Sequence, residues 1–475
     1  VAVVESIAVK VLFLNPQFGS RHPEGLDAPL GIMYLGAVLK AAGHACRLVD
    51  HAWEWENDWS RWERALAELP EVALINTQIR FTRETREALR RLRAWNPKCP
   101  AIAFGPYAST EAPRLLEMGF DACVIGEPET VLPGVLGSAG GRPNLSARAG
   151  LATVGCPAPP PASRADVGAL PFPDWELADY GRYIRATHNA VFLASRGLAR
   201  PDAFNQPPLI HATTPTRRCS VARVMSELVE LRLKFPGHYM VLFHDEVFTE
   251  DRAWVLELCA RLRDSRMGVP YWCFTRPDLV DGELCRSMAR GGFAGVSMGM
   301  ESGSDRILRL LERGLTRDRI EAGFRAVQAA GLLTVGSVMI GTPGRKPDQP
   351  DETWEEIEAT ADMVCHLHPD VLTVTLTTPL PGTPLHADTA SRIRAASQED
   401  FNYYYVWPGK YPVQLNLLTP EDLTRGVRLI RKAWKRGLVT TAWRMVRLGC
   451  RNAAFRNTVL DQAVKVIGRK ILRAG

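Results

Sequence analysis

No two of the ten cysteines stand at C-x2-C spacing; they fall at positions 46, 99, 123, 156, 219, 259, 273, 285, 365 and 450. That scatter excludes a zinc ribbon and a disulfide framework, and predicts reduced thiols filling core positions. No basic-then-apolar segment opens the sequence, and the apolar run Val9–Leu14 is only strand-length, so a cytoplasmic location is expected. The uncharged stretch Ala326–Gly344 is as long as a membrane span, but glycines at 331, 336, 341 and 344 interrupt it. It reads as a helix end followed by a buried strand, and no transmembrane segment is expected. Acids are scarce toward the C-terminus. Residues 425–475 hold fourteen lysines and arginines against Asp461 alone, a net +13, so the other residues carry −7 of the overall +6. Val427, Ile430, Trp434 and Leu438 recur there at helical spacing, as on a solvated helical face. The same charge also suits an anionic partner, such as nucleic acid, a lipid surface or an acidic carrier protein. No motif specific to nucleic acid accompanies it.

At 475 residues, 46 % hydrophobic and 23 % charged, the chain predicts two or three globular domains. Residues 1–150 alternate strand-like and helix-like stretches. Val9–Asn15, Cys46–Asp50, Val72–Asn76, Ala101–Phe104 and Ala122–Ile125 are β-rich, with helical patterns at Gly31–Gly43, 60–69, 83–95 and 111–118. Strict alternation implies a doubly wound α/β domain, Rossmann- or flavodoxin-like, whose ligand sits at the carboxyl ends of the strands. Those ends carry Asn15-Pro16-Gln17, Asp50, Thr77, Gly105-Pro106-Tyr107 and Gly126-Glu127, small and polar enough for a large flat ligand to approach the backbone.

Residues 151–169, rich in Pro, Ala, Gly and Ser, predict a linker. Residues 170–394 then alternate again through about six βα units, which predicts a partial or full TIM-type (β/α) barrel with active groups at the strand carboxyl ends. That rim carries Ser195-Arg196-Gly197, His244-Asp245-Glu246, Thr275-Arg276, Glu301-Ser302-Gly303, Gly341-Thr342-Pro343-Gly344 and Thr378-Pro379. From residue 395 the alternation stops. Tyr403-Tyr404-Tyr405 and Trp407-Pro408 open a mostly helical segment, 395–475, that ends in the basic tail.

Asn15-Pro16, Pro29-Leu30-Gly31 with Tyr34-Leu35, Gly105-Pro106-Tyr107-Ala108-Ser109 and Gly126-Glu127-Pro128-Glu129 together resemble the cobalamin-binding domain that precedes many radical SAM barrels. The D-x-H-x-x-G signature of a cobalt-ligating histidine is missing, since Asp50 and His51 are adjacent. The resemblance therefore implies cobalamin bound base-off with no histidine beneath the metal, held by Asn15, Pro16, Pro29, Leu30, Gly31, Thr77, Gly105, Pro106, Tyr107, Gly126 and Glu127. The motifs Phe243-His244-Asp245-Glu246, Arg276-Pro277-Asp278-Leu279, Glu301-Ser302-Gly303-Ser304, Met339-Ile340-Gly341-Thr342-Pro343-Gly344 and Pro381-Gly382-Thr383-Pro384 occur in the order of the radical SAM barrel. Its cluster loop departs. The family's C-x3-C-x2-C triplet falls on Leu198, Asp202 and Asn205, which offer no thiolate to iron. No iron–sulfur cluster is expected.

By the resemblance, Glu301, Ser302 and Gly341 would bind S-adenosylmethionine, although Glu301 also reads as an inward carboxylate paired with Arg276. Asp202 with His211 could offer a metal one carboxylate and one imidazole, and Cys219 and Cys273 lie nearer the rim than most cysteines. The leading expectation is polar methyl transfer from S-adenosylmethionine through cobalamin to a small molecule of specialised metabolism. His244, Asp245, Arg276 and Tyr107 would stand nearest the substrate, with His244 or Asp245 as proton acceptor. Two alternatives stay open: redox, radical or cyclisation chemistry at cobalt without S-adenosylmethionine, and a non-catalytic partner of an active paralogue. The remodelled loop, with Phe204, Pro207, Pro208 and Ile210, is expected to fill the cluster's volume or cover substrate.

Overall fold

Continuous apolar runs bounded by glycine or small polar residues become the strands of two sheets, one wholly and one mainly parallel. The structure, a computed structural model, describes residues 8–17, 26–54, 58–137, 142–198, 200, 202–205, 216–394, 411 and 413–458. The chain divides into two compact units. The first comprises the described residues up to Thr187 with Thr216 and Arg217, and the second the remainder. Among the described residues no helix is long and apolar enough to cross a membrane.

In the first unit, strands β1 (Lys10–Asn15), β2 (Ala45–Asp50), β3 (Val72–Asn76), β4 (Ala101–Phe104), β5 (Ala122–Val124) and β6 (Leu151–Ala152) form one sheet in the order β2-β1-β3-β4-β5-β6. The first five are parallel, and β6 runs antiparallel to β5. β1 is buried along all of its length after Lys10, as a central strand covered on both faces must be. Helices Leu30–Ala41, Ser60–Leu66, Thr82–Trp95, Pro106–Met118 and Pro128–Leu136 supply the crossovers. Two start on proline, whose missing N–H costs nothing in a first turn.

Residues 151–187, where the sequence pattern places a linker and the start of the barrel, lie in this first unit. The Pro/Gly-rich stretch is irregular yet packed. The Ala165 amide donates to Glu127 at 2.8 Å, the Asp174 amide to the Met33 carbonyl at 3.0 Å, and Trp175, Tyr180 and Tyr183 are buried. Composition signals irregular backbone; it does not separate a free linker from a segment held by its aromatic side chains.

The second unit is built on β7 (Asn189–Phe192), with the two-residue pieces β8 (Ser195–Arg196) and β9 (Arg217–Arg218) following. Then come β10 (Met240–Phe243), β11 (Tyr271–Thr275), β12 (Phe293–Glu301), β13 (Leu333–Ile340) and β14 (Val371–Leu376). Six of these make a wholly parallel sheet in the order β14-β13-β12-β11-β10-β7. Its edges, β7 and β14, do not pair with each other among the described residues, so the curled sheet is a half-barrel. Phe243 centres an aromatic core with Phe192, Phe248, Tyr271 and Phe293.

The C-terminal helices Pro420–Lys435 and Leu438–Arg451 also belong to the second unit and are no separate segment. At Gly426 an added Cβ would lie 3.0 Å from Ile357 Cγ2, and the Trp434 indole donates to the Pro369 carbonyl at 2.8 Å. The first helix therefore packs on helix Trp354–Leu367 through the apolar stripe that its sequence carries. Tyr403, Tyr404, Tyr405, Trp407, Pro408, His211, Pro207, Pro208 and Ile210 lie outside the described residues.

Candidate functional site

At the carboxyl ends of the first sheet the strand order turns back between β1 and β3, the switch point where doubly wound sheets take their ligands. Asn15 ends β1 there, buried, and its Nδ2 donates to Asp50 at 3.0 Å. Asn76 Nδ2 donates to Asn15 Oδ1 at 3.3 Å, and the Tyr183 hydroxyl donates to the other Asp50 oxygen at 2.6 Å. Burial raises the Asp50 pKa against these hydrogen bonds. His51 is turned into the core, its ring edge-on to Trp59 with centroids 4.8 Å apart, and burial pushes its pKa down to about 3. It is a neutral core imidazole.

Thr77 donates its hydroxyl to the Phe104 carbonyl at 2.9 Å and accepts the Ala108 amide at 3.1 Å, tying β3 to the turn after β4. Gly105 in that turn has φ +98°, and an added Cβ would sit 2.5 Å from Asn76 Oδ1 and 3.0 Å from the Thr77 carbonyl. Only glycine brings the chain this close to the switch point. Pro106 opens the following helix, and Tyr107 is buried, with burial raising its pKa. At Gly31, in the first turn after Pro29 and Leu30, an added Cβ would meet nothing within 4 Å. Pro16 is buried beside Asn15. Gly126 donates its amide to Ser109 at 3.0 Å. The Glu127 carboxylate accepts the Ala165 amide and is ion-paired with Arg217, so it anchors the 151–169 segment. The remaining groups fit a large flat ligand approached through backbone and small side chains, with no histidine offered to a metal.

In the half-barrel, Leu198 is buried and Asp202 lies 1 % exposed at its side chain. Asp202 accepts the Phe204 and Asn205 amides at 3.2 and 2.9 Å, the Asn205 side-chain amide at 2.7 Å, and Arg313 Nη1 at 2.7 Å. The same guanidinium reaches Glu301 at 3.4 Å and lies over the Phe204 ring at 5.6 Å. Glu301 is therefore paired with Arg313, not Arg276. Arg276 forks onto Asp278 at 2.9 and 3.1 Å and donates to the Arg313 carbonyl at 2.8 Å. Glu301 has φ +57° and sits at an irregularity in the β12–β13 register. Burial raises its pKa, Arg313 opposes that rise, and Asp202 adds to it. Arg313 is the residue the sequence left unmarked: it follows a helix end in an ordinary arginine-rich stretch, and only the fold brings it to Asp202.

Asp245 is buried and spends both oxygens on the end of β7, accepting the Ala194 amide at 3.3 Å and the Ser195 hydroxyl. His244 is exposed, its ring edge-on to Phe274 at 5.0 Å. Glu246, the last residue of the Phe243–Glu246 motif, makes no hydrogen bond or ion pair among the described residues. Solvent reaches its side chain, yet the surrounding protein, then Asp202 and Asp245, push its pKa up to about 7 against the pull of Arg313. An unpaired carboxylate of that pKa can exchange a proton near neutrality.

Ser302 is buried, its hydroxyl 3.2 Å from that of Thr360 and accepting the Ser304 amide at 3.1 Å. Gly341, at φ +78°, donates its amide to Glu352 at 2.6 Å, and its carbonyl accepts the Tyr411 hydroxyl. An added Cβ there would meet Leu423 at 3.1 Å and Tyr411 at 3.5 Å. Both residues are thus tied into the second unit. Cys219 and Cys273 are buried thiols, the first pushed up to about 11 by burial and the second also raised. Among the described residues no three His, Cys, Asp or Glu side chains converge as metal ligands.

Residues 22–136 match the B12 binding domain and residues 210–364 the radical SAM superfamily; the second match begins beyond Leu198, Asp202 and Asn205. An uncharacterized methyltransferase of Pyrococcus horikoshii is 28 % identical over 228 residues, 48 % of each chain, so the alignment spans about half of that relative's length. The anaerobic magnesium-protoporphyrin IX monomethyl ester cyclase of Rubrivivax gelatinosus is 23 % identical, covering 89 % of this chain and 76 % of its own. The hopanoid C-3 methylase of Methylococcus capsulatus is 24 % identical, covering 94 % and 80 %. Among solved structures, the radical S-adenosylmethionine methyltransferase TsrM from Kitasatospora setae superposes with a TM-score of 0.70 at 19 % identity, over 89 % of both chains. The cobalamin-dependent radical enzyme OxsB gives 0.71 at 14 %, over 89 % of this chain and 66 % of its own. Two family matches in this order, on two units of the corresponding folds, place the chain among the proteins that join a B12-binding domain to a radical SAM superfamily domain.

Proposed function

We propose that the chain is a cobalamin-dependent transferase that methylates a small molecule with S-adenosylmethionine as methyl source, by polar displacement and with no iron–sulfur cluster in its barrel. The observation that carries this reading is the Asp202–Arg313–Glu301 network. At the positions where the radical SAM resemblance implies cluster thiolates, this chain has Leu198, Asp202 and Asn205, and Asp202 is saturated by two backbone amides, a side-chain amide and a guanidinium. The methyltransferase and methylase names of relatives support the reaction class. Cobalamin, which the switch-point residues Asn15, Gly31 and Gly105 would hold, would supply methyl-transfer chemistry that needs no net electron transfer.

The chain's own residues bind, orient and move a proton. The backbone around Gly105 and Gly31 would hold the corrin, and His51, buried in the core, offers it no imidazole. Arg313 and Glu301 orient the polar end of the methyl donor. Methylating a nucleophile that carries a proton releases that proton, and Glu246 accepts it, since Asp245 is already committed to Ala194 and Ser195.

Anaerobic reconstitution followed by cobalt, iron and sulfide analysis tests the reading. About one cobalamin and no cluster per chain is expected; near four irons per chain overturns the cluster-free barrel, and no cobalamin overturns the whole. A second reading, cobalt chemistry without S-adenosylmethionine, draws on Gly341, whose amide and carbonyl are taken by Glu352 and Tyr411. Equilibrium dialysis with S-adenosylmethionine decides between the two: binding keeps the methyltransferase, and its absence favours the second reading.

A further inference from the structure

The helix Leu438–Arg451 turns its apolar face outward. It packs on the second unit through Leu448, which joins Trp272, Ala294, Leu333 and Phe455, and through Arg444, which donates to the His368 carbonyl at 3.0 Å and to Asp370 at 3.2 Å. Opposite that edge, Val439, Trp443 and Val446 are 83, 66 and 68 % exposed, at the i, i+4, i+7 spacing of one helical face. Leu438 and Met445 widen the stripe. Scattered exposed apolar residues need no account, but a whole helical face of them marks an interaction surface.

The charge beside the stripe says what kind. Between Asp422 and Asp461 the chain has ten lysines and arginines and no acid. Arg436, Arg447 and Arg451 are exposed, and Arg447 lies over the Trp443 ring at 5.9 Å. An apolar face with an aromatic residue, bordered by arginines, lies in the plane of a membrane interface: valine, leucine and tryptophan enter the acyl–glycerol boundary and guanidinium groups meet phosphates. A second copy of the same face would bring arginines against arginines, which costs where a lipid headgroup gains.

We infer that Leu438–Arg451 docks the protein on an anionic lipid surface as an interfacial helix. Trp272, Ala294 and Leu333 stand at the starts of β11, β12 and β13, so the helix lies at the end of the sheet opposite the strand ends that carry Glu301 and Glu246. The docked protein therefore keeps that rim free. This inference is independent of the reaction proposed above.

Sedimentation of the full chain with vesicles tests it. Vesicles of phosphatidylcholine with about one third phosphatidylglycerol should carry the protein down, phosphatidylcholine alone should do so several-fold less, and added salt should release it. Val439→Asp with Val446→Asp should lower partitioning about tenfold or more, and Arg447→Gln with Arg451→Gln should remove the preference for anionic lipid. All four side chains are exposed, so the melting temperature should hold in both variants. Absence of binding by the unmutated chain overturns the inference, as does equal binding by the aspartate variant. A dimer in sedimentation equilibrium that the aspartate variant dissolves, without lipid affinity, would overturn it in favour of a second copy.

Discussion

Asp202 makes four hydrogen bonds from a site that water hardly reaches, and its partner Arg313 is shared with Glu301. Removing one member of such a pair leaves the other charged and uncompensated, the costly way to break a buried ion pair. Asp202→Ala should therefore lose about 3–5 kcal/mol in urea unfolding. Adding Arg313→Leu should recover part of that loss, because the orphaned guanidinium goes with it. Glu246 is the residue whose chemistry a pH profile reads. Its carboxyl, pushed up to about 7, accepts a proton only when ionised, so kcat/KM should rise with pH through about 7 and level above it. Glu246→Gln should remove that inflection and lower the rate about a hundredfold or more, with stability little changed for an unpaired side chain.

Among the elements, the turn after β13 is held to helix Trp354–Leu367 by Glu352, which accepts the Gly341 and Thr342 amides at 2.6 and 3.0 Å and donates its own amide to the Thr342 carbonyl at 2.8 Å. Burial pushes its pKa up to about 8, against the pull of those amides. A carboxyl raised above its ordinary value keeps, in the folded chain, a proton that the unfolded chain gives up. Stability from this group is thus full at pH values below about 4.5 and is lost as pH rises toward 8. Glu352→Gln keeps a carbonyl for the two amides and has no proton to lose. Its melting temperature relative to the unmodified chain should therefore increase from pH 5 to pH 8, as calorimetry would show; a constant difference would mean that Glu352 is charged in the fold. The pattern of elements was largely legible beforehand. β3 and β4 fall where periodicity and punctuation put them, at Val72–Asn76 and Ala101–Phe104, since each is a strong apolar run between turn residues. β6, two residues in an irregular stretch, was not legible, because two residues carry no period.

At the scale of the molecule, a ligand that binds only the folded first unit should stabilise it in proportion to its concentration. Cobalamin at about a hundred times its Kd should add about 2.7 kcal/mol to unfolding of the full chain. Gly105→Val should abolish that increment whatever it does to the starting stability, because Gly105 at φ +98° brings the backbone to the switch point. The sequence by itself determined the two α/β units, the parallel strands of both sheets apart from β6, the strand ends that carry the polar residues, and the absence of cysteine from positions 198, 202 and 205. These are local properties: apolar period, turn chemistry and the identity of side chains at fixed spacing. Only the tertiary structure decided that Glu301 pairs with Arg313, that Glu127 and Asp245 hold segments in place, and that Glu246 has no hydrogen-bond or ion-pair partner among the described residues. Partner choice is set by which charges meet across more than a hundred residues of chain, as Asp202 and Arg313 do. The outward apolar face of Leu438–Arg451 has the same cause: a helical stripe in sequence shows that a face is apolar, and only packing shows which face the core takes.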